Sequence, residues 1–228
     1  MSELVRRKAK DIFYEEIEED EKELIRAARE GRMIIIISLL STNMLNINVR
    51  SSIDHYDDED LDEEEYHMVT PLLEAAKNGH TDIVRLLLDK GAKPNISDDY
   101  GESPLKAAAY EGYKEVIKLL IDSGADPNMV DGNFDSALHE AASMGHNDVI
   151  QLLLDIGVNP NISNRWGDEP LHNAARHGHI GIIQLLLNIG ADPNIKNDDG
   201  ETPLYEAFKN EHKNAAVLRL SYMVKIAI

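Results

Sequence analysis

Asp58, Asp60 and Asp62 stand at alternate positions and imitate the opening of a calcium-binding loop. Such a loop needs glycine at its sixth position for a sharp turn and a bidentate glutamate at its twelfth, where this chain has Glu63 and Val69. Calcium chemistry is therefore not expected. The histidines invite other metal or acid–base readings, but most of them recur in register. His80, His146, His179 and His212 share one column, with Tyr113 in its remaining slot, and His139 and His172 share another. A residue that returns once per structural unit is explained by the unit itself. His55, His67 and His177 are left over, and without any cysteine they show no metal-ligand spacing.

Catalytic constellations are missing as well. The chain contains no Gly-x-Ser-x-Gly elbow, no phosphate-binding Gly-x-x-x-x-Gly-Lys loop and no His-Glu-x-x-His pair. Of its 14 glycines only Gly132 and Gly181 lie outside a repeating register. No catalytic residue, metal or cofactor is expected, and the chain reads as a non-enzyme.

What positions these residues is a repeat. Pro71, Pro104, Pro170 and Pro203 share one register, with Ala137 in the missing slot, and 104 − 71 and 203 − 170 both give 33. Gly91, Gly124, Gly157 and Gly190 keep the same spacing, as do Asn95, Asn128, Asn161 and Asn194. A fixed period of this size signals a solenoid. In Thr70-Pro71, Ser103-Pro104 and Thr202-Pro203 a capping hydroxyl precedes a proline suited to the first helical turn, so each marks a helix start. Gly79, Gly112, Gly145 and Gly178 end that short helix. Apolar residues at Ile83, Val84, Leu87 and Leu88 then trace the buried stripe of a second helix, repeated at Val116, Ile117, Leu120 and Ile121.

Thr202-Pro203-Leu204, Ala137-Leu138-His139-Glu140-Ala141-Ala142, Gly145-His146 and the run from Ile183 to Asp192 resemble the ankyrin repeat. The resemblance implies an all-α ankyrin-repeat solenoid of helix-turn-helix units with hairpin fingers. About six repeats are expected, near 22–50, 67–99, 100–132, 133–165, 166–198 and 199–228, the outer two degenerate. Residues 1–21 are expected to form an N-terminal capping helix, with Leu4, Val5, Ile12 and Phe13 on its apolar side. The Ile34–Ile37 face is expected to pack on that helix. His139 and His172 are expected to bond the capping residue of their helix start. Three departures stand out. Phe134 replaces a finger glycine, which suggests a different turn there; Glu169 replaces a capping hydroxyl; Glu211 replaces an inter-helix glycine.

Between the first two repeats lies an acidic insertion at 51–66, whose finger carries Asp57, Asp58, Glu59, Asp60, Asp62, Glu63 and Glu64. Residues 1–66 hold 9 basic and 19 acidic residues, a net of −10 out of −19 for the chain. That balance disfavours nucleic acid and anionic membranes as partners. The finger reads either as a solvated loop or as a docking segment for a partner with a basic patch. No signal peptide is visible, and the apolar run Met33 to Leu40 falls short of the roughly 20 residues a bilayer span needs. A monomeric cytoplasmic protein is expected. The array is also similar to ankyrin-repeat proteins that intracellular bacteria send into host cells, so secretion into a host cytosol is a further reading.

The resemblance implies that finger tips and the exposed ends of the first helices form a concave surface for another protein. The finger-tip positions are His67, Tyr100, Asn133, Trp166 and Asp199, beside Arg165, and the next free positions are Glu102, Asp135, Asp168 and Glu201. On the first helices the free pairs are Lys77 and Asn78, Tyr110 and Glu111, Ser143 and Met144, Arg176 and His177, and Lys209 and Asn210. Of these, Tyr100, Glu102, Tyr110, Glu111, Asn133, Met144, Arg165, Trp166, Arg176, His177 and Asp199 are the candidate partner-binding residues. The segment from Leu120 to Asn128 also resembles substrates of asparagine hydroxylation, with Asn128 as acceptor. The expected function is a protein-binding module; an acidic inhibitor or chaperone of a nucleic-acid-binding protein, and the targeting part of a larger enzyme, are the alternatives.

Overall fold

The computed structural model describes residues 17–41, 44–52 and 68–212. A first helix, α1, is described over 17–29 and is followed by α2 (Met33–Leu40). Four complete helix pairs come next: α3 (Pro71–Lys77) with α4 (Thr81–Asp89), α5 (Pro104–Glu111) with α6 (Lys114–Asp122), α7 (Ala137–Met144) with α8 (Asn147–Asp155), and α9 (Pro170–Arg176) with α10 (Ile180–Asn188). The last described helix is α11 (Pro203–Lys209). The prolines of the 33-residue register open their helices as expected. Thr70 Oγ1 accepts from the Leu73 N–H at 3.1 Å and Ser103 Oγ from the Lys106 N–H at 3.2 Å, which satisfies donors that an uncapped first turn would leave open.

Stacking buries one stripe of each helix. In the first helices Leu72, Ala75 and Ala76 are buried, and so are Leu105, Ala108 and Ala109, Leu138, Ala141 and Ala142, and Leu171, Ala174 and Ala175. The paired alanines let neighbouring first helices lie close together. In the second helices Ile83, Val84 and Leu87 are buried, with their counterparts one period on. One continuous core runs from Leu24 to Ala207. Each buried Leu or Ile contributes about 2 kcal/mol, and the core runs through neighbouring units, so a unit alone has no sufficient core. On α2, Ile34 is 84% exposed and Ile37 is exposed too. The expected capping helix lies largely outside the described residues.

The finger turns share one form. Asp98 N–H donates to Glu102 O, Asp131 N–H to Asp135 O, Asn164 N–H to Asp168 O and Asn197 N–H to Glu201 O. Phe134 does not change this turn, contrary to the sequence expectation. It adopts φ 62°, in the left-handed region occupied by Gly101, Gly167 and Gly200, and closes the same hydrogen-bonded loop. Glu211 likewise takes φ 63° where the other repeats have glycine. A side chain in this conformation costs roughly 1 kcal/mol, and at Phe134 the finger is held on both sides by backbone bonds to its neighbours. Consecutive fingers are tied backbone to backbone. Gly132 N–H donates to Tyr100 O (3.0 Å), Arg165 N–H to Asn133 O (2.8 Å) and Asp198 N–H to Trp166 O (2.9 Å).

The strands β1 (Ser51–Ser52) and β2 (Met68–Val69) pair antiparallel, with Ser51 opposite Val69. The acidic residues expected to form a finger fall between these strands and lie outside the described residues.

Candidate functional site

The fingers and the C-terminal ends of the first helices face each other across one surface, and ion pairs join the two sides. Lys77 Nζ lies 3.3 Å from Glu102 Oε2, Arg176 Nη2 2.6 Å from Asp168 Oδ2, and Lys209 Nζ 2.9 Å from Glu201 Oε1. A second set of polar contacts runs along the surface from one first helix to the next. Arg29 Nε meets Glu74 Oε2 at 2.8 Å, Asn173 Nδ2 donates to Ser143 Oγ at 2.9 Å, and Arg176 meets Glu206 at 2.6 Å. Glu74, Asn173 and Glu206 are all buried, so these links hold the stack as much as they decorate it.

Lys106 anchors the middle of the surface. It is 6% exposed and holds both Asp131 and, at 3.0 Å, Glu140. Burial alone would favour its neutral form, but the hydrogen bonds and charges of the two carboxylates prevail and hold its proton more tightly than usual. Burial would also raise Asp131, yet Lys106 and the backbone donors of the finger turn keep it below the ordinary carboxylate range. Glu140 moves the other way, because for it desolvation outweighs Lys106.

The recurrent histidines are built into the stack. His139 Nδ1 accepts from the Ser136 N–H at 3.2 Å while Nε2 bonds Asp168 O at 3.0 Å; His172 Nδ1 accepts from the Glu169 N–H at 3.1 Å and Nε2 bonds Glu201 O at 3.2 Å. The expected bond to the capping residue is thus present, and Nε2 reaches the next finger in addition. Glu169 takes the N-cap position that a hydroxyl residue holds elsewhere. In the other column His80, His146 and His179 bond the carbonyl oxygens of Arg29, Tyr110 and Ser143 at 2.8–2.9 Å. Among the described residues no group of three metal-ligating side chains converges.

The structure leaves most of the sequence candidates exposed on this surface: Tyr100, Tyr110, Glu111, Asn133, Met144, Arg165, Trp166, His177 and Asp199. Trp166 is 51% exposed at its finger tip. Two candidates are not free. Glu102 is half-buried against Lys77, and Arg176 is half-buried between Asp168 and Glu206. Asp168, expected at the rim, is buried and accepts from Asn197 Nδ2 at 2.8 Å as well as from Arg176. These acids are spent on the stack because one guanidinium gathers two of them. Sequence reading passed over Lys106, Tyr205 and Phe208 and noted Phe134 only for its turn; the two phenylalanines and Tyr205 are exposed apolar side chains. Lys106 was detectable as the cation standing where His139 and His172 stand one and two periods later. Asn128 is exposed in its turn, where its N–H donates to Asp126 Oδ1 at 2.9 Å.

No helix among the described residues is long and apolar enough to cross a membrane. A family model described as "Ankyrin repeats (3 copies)" matches residues 24–131 and 133–226. No curated protein matches the chain.

Proposed function

The chain belongs to the ankyrin-repeat family, and on that premise we propose that it is a non-enzymatic module that holds a partner protein on the surface between its fingers and its first helices. Ankyrin repeats are generally protein–protein interaction modules. The observation that carries the reading is the division of labour on this surface. Its charged side chains Arg29, Glu74, Lys106, Asp168, Arg176 and Glu206 are taken up by contacts within the stack, while Tyr100, Tyr110, Met144 and Trp166 stay exposed. Exposed aromatic and methionine side chains on a rigid frame are what dominates protein interfaces. A monomer engaging its partner in a cytoplasm, with delivery into a host cell as the setting, belongs to the same proposal.

The test is affinity capture with wild-type protein beside a Tyr110→Ala, Met144→Ala, Trp166→Ala variant whose fold is checked by circular dichroism. Arg176 is left intact because of its structural contacts. A specific protein lost only from the variant supports the reading. Capture that survives in the variant but disappears on deletion of 54–65 replaces it with docking through the acidic insertion.

A further inference from the structure

Three columns of the repeat are broken together where α3 packs on α5. Lys106 stands where His139 and His172 stand, Ala107 where Glu74, Glu140, Asn173 and Glu206 stand, and Tyr113 where His80, His146, His179 and His212 stand. The regular occupants bind the next finger, the previous first helix and the previous helix terminus. Lys106 still reaches the next finger, through the Asp131 side chain, and Tyr113 still packs on the preceding glycine as the column's histidines do, so the contact that is lost is the one at Ala107. Lys77 finds no carboxylate at Ala107 of the kind that Arg29 and Arg176 find, and turns to Glu102 in an exposed, 3.3 Å pair. The Tyr113 ring lies against Gly79, within 2.8 Å of where a Cβ would project.

At this place the surface opens into a groove of about 700 Å³ whose walls include Val69, Leu73, Tyr100, Glu102, Glu111 and Tyr113. Its three cations are already bound: Arg29 to Glu74, Lys77 to Glu102, and Lys106 to Asp131 and Glu140. Five carboxylates line the same groove, so it is acidic by two charges. Glu111 is exposed in the last turn of α5, the end at which a helix disfavours an anion, and among the described residues no ion pair reaches it. Tyr100, 57% exposed, and Tyr113, exposed as well, line the same groove.

We propose that this groove receives an arginine side chain of the partner protein. The proposal rests on the surface being the binding face and names the chemistry of what enters it. The guanidinium meets Glu111 and the loosely held Glu102, and its plane lies on a tyrosine ring. A guanidinium suits this setting better than an ammonium, because it is more weakly hydrated, bonds carboxylates in a fork and stacks on aromatic faces. An anion is repelled by the same walls.

The experiment is a titration of the ¹⁵N-labelled full chain with acetyl-Gly-Arg-Gly-amide, its citrulline analogue and its lysine analogue, read by amide chemical shifts. The expected result is a saturable response concentrated at Tyr100, Glu102, Glu111 and Tyr113 for the arginine peptide alone, weakened about threefold by Glu111→Gln and unchanged on deletion of 54–65. The proposal is overturned if the lysine or citrulline peptide responds equally, if the shifts scatter over other acidic residues, if they vanish with 54–65, or if Glu111→Gln has no effect. Because the titration needs no partner protein, its failure is separate from a failure of the capture experiment.

Discussion

Arg176 and Glu206 meet across the junction of α9 and α11 with 2.6 Å between Nη2 and Oε1, while the same nitrogen lies 2.6 Å from Asp168 Oδ2 on the finger behind it. One guanidinium thus pins a finger, its own helix and the next helix. The hydrogen bond to Glu206, ahead of the opposing effect of burial, makes Arg176 hold its proton more firmly than usual. Burial would raise Glu206, but Arg176 outweighs it and keeps that carboxyl below its ordinary range.

Arg176→Ala therefore strands two buried carboxylates. The expected loss is about 2 kcal/mol, below the range for a fully buried pair because the arginine is partly open to water. Urea unfolding measures it, and a cycle with Glu206→Gln separates the pair from general damage: the double variant is expected to recover part of the loss. Additive losses would show that the two residues are not coupled.

Phe134→Gly is expected to stabilise the protein by about 1 kcal/mol, because glycine adopts φ 62° without the Cβ clash and the phenyl ring removed is exposed. Phe134→Ala keeps the clash and gains nothing. Equal urea midpoints for the glycine and alanine variants would contradict a strained finger.

Stability is expected to fall as pH drops below about 6.5. Burial lowers the proton affinity of His139 and His172, more than neighbouring carboxylates and carbonyls raise it. An unfolded imidazole takes a proton near its ordinary value, whereas the folded rings resist until lower pH. Their contribution is thus complete above the unfolded value and is lost as pH falls. Comparing urea midpoints at pH 7.5 and 5.5, His139→Gln is expected to be less stable at both but to show the smaller drop. Asp131, held low, titrates below this window, and Glu140 is common to both proteins and cancels in the comparison.

How far the sequence reached depended on whether a feature is local. Pro71, Pro104 and the capping hydroxyls act within one helical turn, so the helix starts could be placed from spacing alone. Phe134 could not be placed in the same way: a missing glycine signals a new turn only if the finger is free to choose one, and that freedom is removed by neighbours 33 residues away in either direction. Asp168 and Arg176 looked available because their bonds span 8 and 30 residues, and which side chains meet at those spans depends on how the finger and the next helix stack. Lys106, Ala107 and Tyr113 were visible as breaks in register. That Lys106 and Tyr113 line one groove required the stacking of α3 on α5.

The hydrogen bonds from Gly132 to Tyr100, Arg165 to Asn133 and Asp198 to Trp166 make the finger row a coupled lattice. Among the described fingers, a tip that retracts or swings breaks a bond to its neighbour, so the row favours one backbone contour. Adaptation to a new ligand then has to proceed by exchanging side chains at fixed sites. A variant that binds something else is expected to differ in the chemistry of its tips and not in their path.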